Sequence, residues 1–192
     1  FIADSIRPEF TRRFVEQVEK MVVGDPSVED TEFGSLVSHE HRDKVESYIK
    51  LAIREGGTIL SGGARPELEP PLDSGAFLLP TIIDDLAVDS RCAREEIFGP
   101  VVTLHGFSSD EEVIGYANST EYGLAGSVWT TDLVRGKAMA ESIESGMVWV
   151  NCWLHRDLRV PFGGTKNSGV GREGGQRSLA FYSEAMNICM KN

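Results

Sequence analysis

Two carboxylates, an aromatic ring and a tight turn stand together at Glu95-Glu96-Ile97-Phe98-Gly99-Pro100, ahead of a stretch from Val101 that reads as a strand. A carboxylate at such a junction can accept hydrogen bonds from both hydroxyls of a ribose, and a ring beside it can pack against a flat heterocycle. The same residues also suit a solvated acidic pair next to a core phenylalanine, and on chemistry alone that plainer reading is favoured. A second pattern, Gly169-Val170-Gly171-Arg172-Glu173-Gly174, has the G-x-G-x-x-G spacing that holds a dinucleotide pyrophosphate between a strand and a helix. Its context argues against that use. Pro161-Phe162-Gly163-Gly164 before it is loop-like, and the 18 residues after Gly174 are too few for a second strand and a ribose-binding acid. It reads as a glycine-bent loop, and Gly163-Gly164-Thr165-Lys166 lacks the spacing of a Walker phosphate loop.

Nucleophiles and metal ligands are scarcer. Cys92, Cys152 and Cys189 form neither an even disulfide framework nor a CxxC pair, which suggests reduced thiols in a cytosol-like compartment. Cys152 follows a predicted strand end, yet no His or Lys is positioned by sequence to lower its pKa, so a small buried hydrophobe is its expected role. His39 and His41 sit two apart on a predicted helix and point away from each other, while His105 and His155 stand alone. The sequence therefore offers no catalytic residue and no metal site.

Helices and strands must position these groups. Phe1-Ile2-Ala3 resembles the tail of a strand entered in mid-fold, which suggests truncation. Phe10, Phe14, Val15, Val18 and Met21 recur at helical spacing behind Pro8, and Ser38 can cap a second helix whose Val45, Tyr48, Ile49 and Ala52 share a face closed by Gly56-Gly57. Strands are predicted at 58–60, at 76–79 and 81–83 around an edge-forming Pro80, and at 101–104. Ser109 and Glu112 make a capping box before a helix through Val113, Ile114 and Ala117; then come a strand at 124–129, a helix at 132–145 stopped by Gly146, and a strand at 147–150. This alternation predicts parallel α/β structure. A last helix over 173–181 and a strand over 182–190 follow, the strand with few partners left in its own chain and so suited to pairing with another subunit.

The 192 residues and 41% hydrophobic content fit one main domain. A net charge of -11 argues against nucleic acid or an anionic membrane as partner, since the long-range field repels polyanions. No apolar run reaches the ~18 residues of a spanning helix, and a cytoplasmic setting is expected.

Taken with Pro80-Thr81-Ile82, Tyr122-Gly123-Leu124, Asn151-Cys152-Trp153 and Pro161-Phe162-Gly163-Gly164 in that order, the Glu95 to Pro100 motif resembles the aldehyde dehydrogenase superfamily across essentially the whole chain. The resemblance implies the C-terminal part of that catalytic domain over residues 1–172, an oligomerisation helix and strand over 173–192, and a cofactor domain outside the sequence. It implies NAD or NADP as cofactor, with Glu96 on the nicotinamide ribose and Phe98 near the nicotinamide, and Asn151 and Phe162 beside a small aldehyde substrate. Asn151-Cys152-Trp153-Leu154 and Arg156-Asp157-Leu158-Arg159 are similar to the aminomuconate and hydroxymuconic semialdehyde dehydrogenases, whose substrates carry carboxylates. A guanidinium suits a carboxylate because it donates two parallel hydrogen bonds and keeps its charge on burial. Arg156 is the expected anchor and Arg159 the second choice, against the alternative that Arg156 pairs structurally with Asp157 or a Glu. The family's nucleophilic cysteine, general-base glutamate and oxyanion asparagine are expected upstream of Phe1, so the chain alone is expected to be inactive. A non-catalytic oligomerising scaffold is the alternative.

Overall fold

In the computed structural model, which describes residues 1–191, strand β1 (Ile2–Ala3) leads into helix α1 (Arg7–Val18), whose first turn accommodates Pro8 because the opening amides of a helix have no partner to lose. Helix α2 (His39–Arg54) starts where Ser38 Oγ accepts the His41 amide at 3.1 Å, and it ends as Gly57 N–H returns to Ala52 O at 2.8 Å. The chain then forms β2 (Thr58–Ser61), a 3-10 turn at Leu72–Ser74, β3 (Thr81–Asp84), the short helix α3 (Arg91–Arg94), β4 (Val101–Thr103) and β5 (Gly106–Phe107). These elements make up one packed unit, Phe1–Ser109.

Within it the three-stranded sheet has the order β2-β3-β4, antiparallel on one side of β3 and parallel on the other. Strand β3 is central and covered on both faces, which is why Thr81, Ile82 and Ile83 run consecutively with almost no exposed surface. Ile82 packs with Ile2, Val18 and Leu104, and Ile83 with Ala52, Leu86 and Cys92, while Val45 and Ile49 of α2 close on Leu78 and Ile97. Of residues 76–79, predicted as extended, Ala76, Phe77 and Leu78 are buried and Leu79 is half-buried, and none joins a ladder among the described residues. Ala76 O accepts from Leu36 N, Leu79 N donates to Ala64 O, and Pro80 follows, so their backbone groups are satisfied by separate loops.

The second unit, Asp110–Asn192, holds α4 (Asp110–Asn118), β6 (Tyr122–Gly123), β7 (Ala125–Val128), α5 (Leu133–Ser142), β8 (Met147–Val150), β9 (Thr165–Lys166) and α6 (Gln176–Phe181). Strands β7 and β8 pair in parallel through the α5 crossover, as the alternation predicts, and β6 pairs antiparallel with β9. Asp132 caps α5 by accepting the Val134 and Arg135 amides, both at 3.0 Å. The helix stops before Gly146 for a reason outside its own sequence: Asn118 donates to Ser142 O at 2.9 Å and accepts the Glu144 amide at 2.8 Å. Gly146 answers a different constraint, since a Cβ there would lie 1.6 Å from the Gly163 carbonyl oxygen. Helix α6 starts three residues later than predicted because Glu173 forms an extended bridge with Phe162 and Gly174 adopts φ +99°. Residues 183–191 form no strand, as a strand needs a hydrogen-bonded neighbour and this segment has none among the described residues.

Candidate functional site

The loop 95–100 of the first unit alternates between anchored and outward residues. Glu95 is anchored: Arg91, four residues earlier, grips both its carboxylate oxygens at 2.6 and 3.0 Å, and Tyr48 Oη donates to it at 2.7 Å. The hydrogen bonds from Arg91 and then Tyr48 hold this carboxyl down to about 2. Glu96 is exposed, and its carboxylate makes no ion pair or hydrogen bond among the described residues. Ile97 turns back into the core beside Val45 and Ile49. Phe98 turns out again with 72% of its surface exposed and backbone φ +58°. Its carbonyl oxygen lies 2.6 Å from His41 Nε2, and its ring meets the His41 ring edge-on at 6.0 Å. Pro100 O then accepts the Thr81 amide, tying the loop to β3. Of two adjacent glutamates, one is therefore part of the fold and the other offers free acceptor oxygens next to an exposed aromatic face.

In the second unit the loop after β8 opens at Asn151, itself at φ +54°. Both ends of its amide are occupied: Oδ1 accepts from Thr130 N at 2.8 Å and Nδ2 donates to Thr130 O at 2.7 Å. Asn151 thus joins the loop to the start of α5, with one amide N–H and one acceptor lone pair unused among the described residues. Trp149 Nε1 donates to His155 O and its ring packs on Trp153 at 5.0 Å. Arg156 lies with its guanidinium carbon 3.8 Å from the centre of the Phe162 ring and pairs with Glu173 at 3.2 Å. Arg156, Leu158, Val160, Phe162, Glu173 and Ser178 line a cavity of about 210 Å³. The observed acid is thus Glu173 rather than Asp157, which instead takes Arg159 at 2.5 Å. The glutamate engages Nη2 of Arg156, and the other N–H donors of the fork have no hydrogen-bond partner among the described residues.

Burial, reinforced by Glu55, pushes the Cys92 thiol up to about 11, so its thiolate is scarce at neutral pH. Cys152 is half-buried, and Cys189 is exposed with Asn187 Nδ2 at 3.5 Å. Among the described residues no three His, Cys, Asp or Glu side chains gather as metal ligands. The residues that sequence reasoning passed over are His41, Tyr48 and Glu173. The first two share with Val45 the i, i+4, i+7 face of α2 on which the 95–100 loop rests, a spacing visible once His41 is counted with that face. Glu173 sat inside a pattern read only for its glycines.

The chain is 48% identical to mouse 2-aminomuconic semialdehyde dehydrogenase over all of its own length and 40% of that protein's, and 46% identical to Pseudomonas putida 2-hydroxymuconic semialdehyde dehydrogenase over 39% of that one. It spans about 40% of the length of such relatives. The crystal structure of Staphylococcus aureus betaine aldehyde dehydrogenase in complex with NAD+ superposes with a TM-score of 0.89 at 40% identity, covering 94% of this chain and 36% of that one. A putative aldehyde dehydrogenase from Burkholderia cenocepacia gives 0.91 at 41% identity, over 95% and 37% of the two chains. With the sequence model of the family matching residues 1–188 as well, this chain belongs to the aldehyde dehydrogenase family.

Proposed function

We propose that this chain is the cofactor-loop and substrate-loop portion of a cytosolic, NAD(P)-dependent dehydrogenase that oxidises a carboxylate-bearing semialdehyde to an acid. The observation that carries the proposal is the division between Glu95 and Glu96: the fold satisfies the first completely and leaves the second as an exposed, unpaired acceptor beside the open face of Phe98. That donor-free, anionic and aromatic pairing fits a nicotinamide riboside, whose ribose offers two hydroxyl donors and whose ring offers a flat face. Glu96 accepts from those hydroxyls and Phe98 limits the tilt of the ring. When bound, NAD(P)+ supplies the hydride acceptor.

On the substrate loop, Arg156 pairs with the semialdehyde carboxylate and Phe162 both forms a wall and steadies the guanidinium from below. Asn151 fixes the loop to Thr130 and turns its remaining amide donor to the aldehyde substrate. The 2-aminomuconic and 2-hydroxymuconic semialdehyde dehydrogenases among the relatives support this substrate class. Burial and Glu55 hold Cys92 as a thiol, and Cys152 and Cys189 have no His, Lys or carboxylate hydrogen-bond partner among the described residues, so the attacking thiolate is assigned to the part of the relatives' length that this chain does not span. The complete protein should form NADH or NADPH from a carboxylated semialdehyde, and the 192-residue chain by itself should not. Turnover by the isolated chain would refute the assignment.

Assembly through the terminal segment is the second part of the proposal. Met186, Ile188 and Met190 alternate along residues that form no internal ladder, with exposures of 80%, 69% and 90%. That is the pattern of a strand whose neighbour belongs to another subunit. The same feature suits a non-catalytic scaffold, and nucleotide titration of the complete protein separates the two, since a scaffold would assemble without binding NAD(P)+.

A further inference from the structure

Phe98 is a bulky residue held in the left-handed region, at φ +58°. That conformation disfavours a non-glycine residue, so neighbouring contacts must maintain it. Burial supplies part of the restraint. Ile97 is locked against Val45 and Ile49, and Gly99 lies so near Val45 that an added Cβ would come within 2.7 Å of its methyl carbon. Among the described residues the Phe98 carbonyl oxygen has its directional contact with His41 Nε2, at 2.6 Å.

We propose that His41 is a positioning residue for the cofactor loop: its Nε2–H fixes the Phe98 carbonyl and thereby the direction in which the Phe98 ring faces the nicotinamide. A carbonyl oxygen only accepts, so Nε2 is the protonated ring nitrogen. The sign of φ determines to which side of the backbone Cβ projects, and with it where the ring goes. His41 is in turn set by its place in the first turn of α2, where Ser38 Oγ holds its amide at 3.1 Å. The edge-on ring contact at 6.0 Å adds a second restraint on the same side chain. Helix α2 therefore grips the loop at both ends, through Tyr48 at Glu95 and through His41 at Phe98, and leaves Glu96 between them unencumbered.

This inference rests on the reading of Glu96 and Phe98 as cofactor-binding residues, and the test separates the two. In the complete dehydrogenase, assayed with NAD+ and NADP+, His41→Ala should raise the KM for the cofactor roughly tenfold, as loss of one short hydrogen bond implies. The KM for the aldehyde and kcat should stay within about twofold. His41→Gln, whose amide N–H has comparable reach, should restore most of the cofactor KM. An unchanged cofactor KM in the alanine variant, or a glutamine variant as impaired as the alanine one, overturns the proposal. Nitrogen-15 spectra of the unmodified chain give an answer independent of either variant's folding: the Nε2–H form of His41 is expected, and a neutral ring protonated only at Nδ1 refutes it. If Glu96→Gln and Phe98→Ala raise the cofactor KM while His41→Ala does not, only the positioning role falls. If none of the three does, the cofactor reading falls with it.

Discussion

Arg156 and Glu95 show how differently one charged residue can be used. Arg156 keeps donors in reserve above the Phe162 ring. Its replacement by alanine in the complete enzyme should raise the KM for a carboxylated semialdehyde by roughly tenfold to a hundredfold, the range for a lost charge-assisted contact of about 1.5–3 kcal/mol, while a neutral aldehyde is little affected. Equal effects on both aldehydes would remove Arg156 from the anchor role. Glu95 has its acceptors filled by Arg91 and Tyr48, and its carboxyl sits near 2 against an ordinary 4.5. A depressed folded-state pKa contributes stability above the ordinary value and loses it as pH falls through 4.5 toward about 2. The melting temperature of the native chain should therefore exceed that of Glu95→Gln at about pH 6, with the gap closing toward about pH 2; a gap independent of pH would mean the ion pair does not matter. Sequence alone could not tell Glu95 from Glu96 by residue type. The distinguishing signal was Arg91 one helical turn earlier, whereas the contact of His41 with Phe98 spans 57 positions and leaves no local trace.

Among the elements, those long enough to carry a period were legible: α1, α2, the buried β3 and the β7-α5-β8 crossover all lie within a few residues of where spacing puts them. Strands β5, β6 and β9 are two residues each, too short for any alternation, and exist only because distant backbone pairs with them. The end of α5 was illegible for a related reason, since Asn118 terminates it from another helix. Its start and its successor offer a graded test. Asp132→Ala removes a cap and should cost about 1 kcal/mol in urea unfolding. Gly146→Ala must push aside the Gly163 backbone and should cost about 3 kcal/mol or more. Comparable losses would mean that the two backbone segments are not in close approach.

Across the whole molecule, buried apolar clusters of the first unit contrast with the outward Leu179, Phe181, Tyr182, Met186, Ile188 and Met190 near the end of the second. If the terminal segment supplies a strand to another subunit, replacing Ile188 with Lys in the complete protein should lower its solution mass by light scattering without altering the melting of the first unit's core. An unchanged mass would assign assembly to another surface. A different consequence follows from β1, whose Ile2 pairs in parallel with Gly106 at the opposite end of its unit. During synthesis this edge cannot zip up until the ribosome has released everything between the two strands, and closing so wide a loop is entropically slow. The β1 residues are thus among the last of their unit to find a home, and in the interval they depend on whatever holds nascent chains soluble.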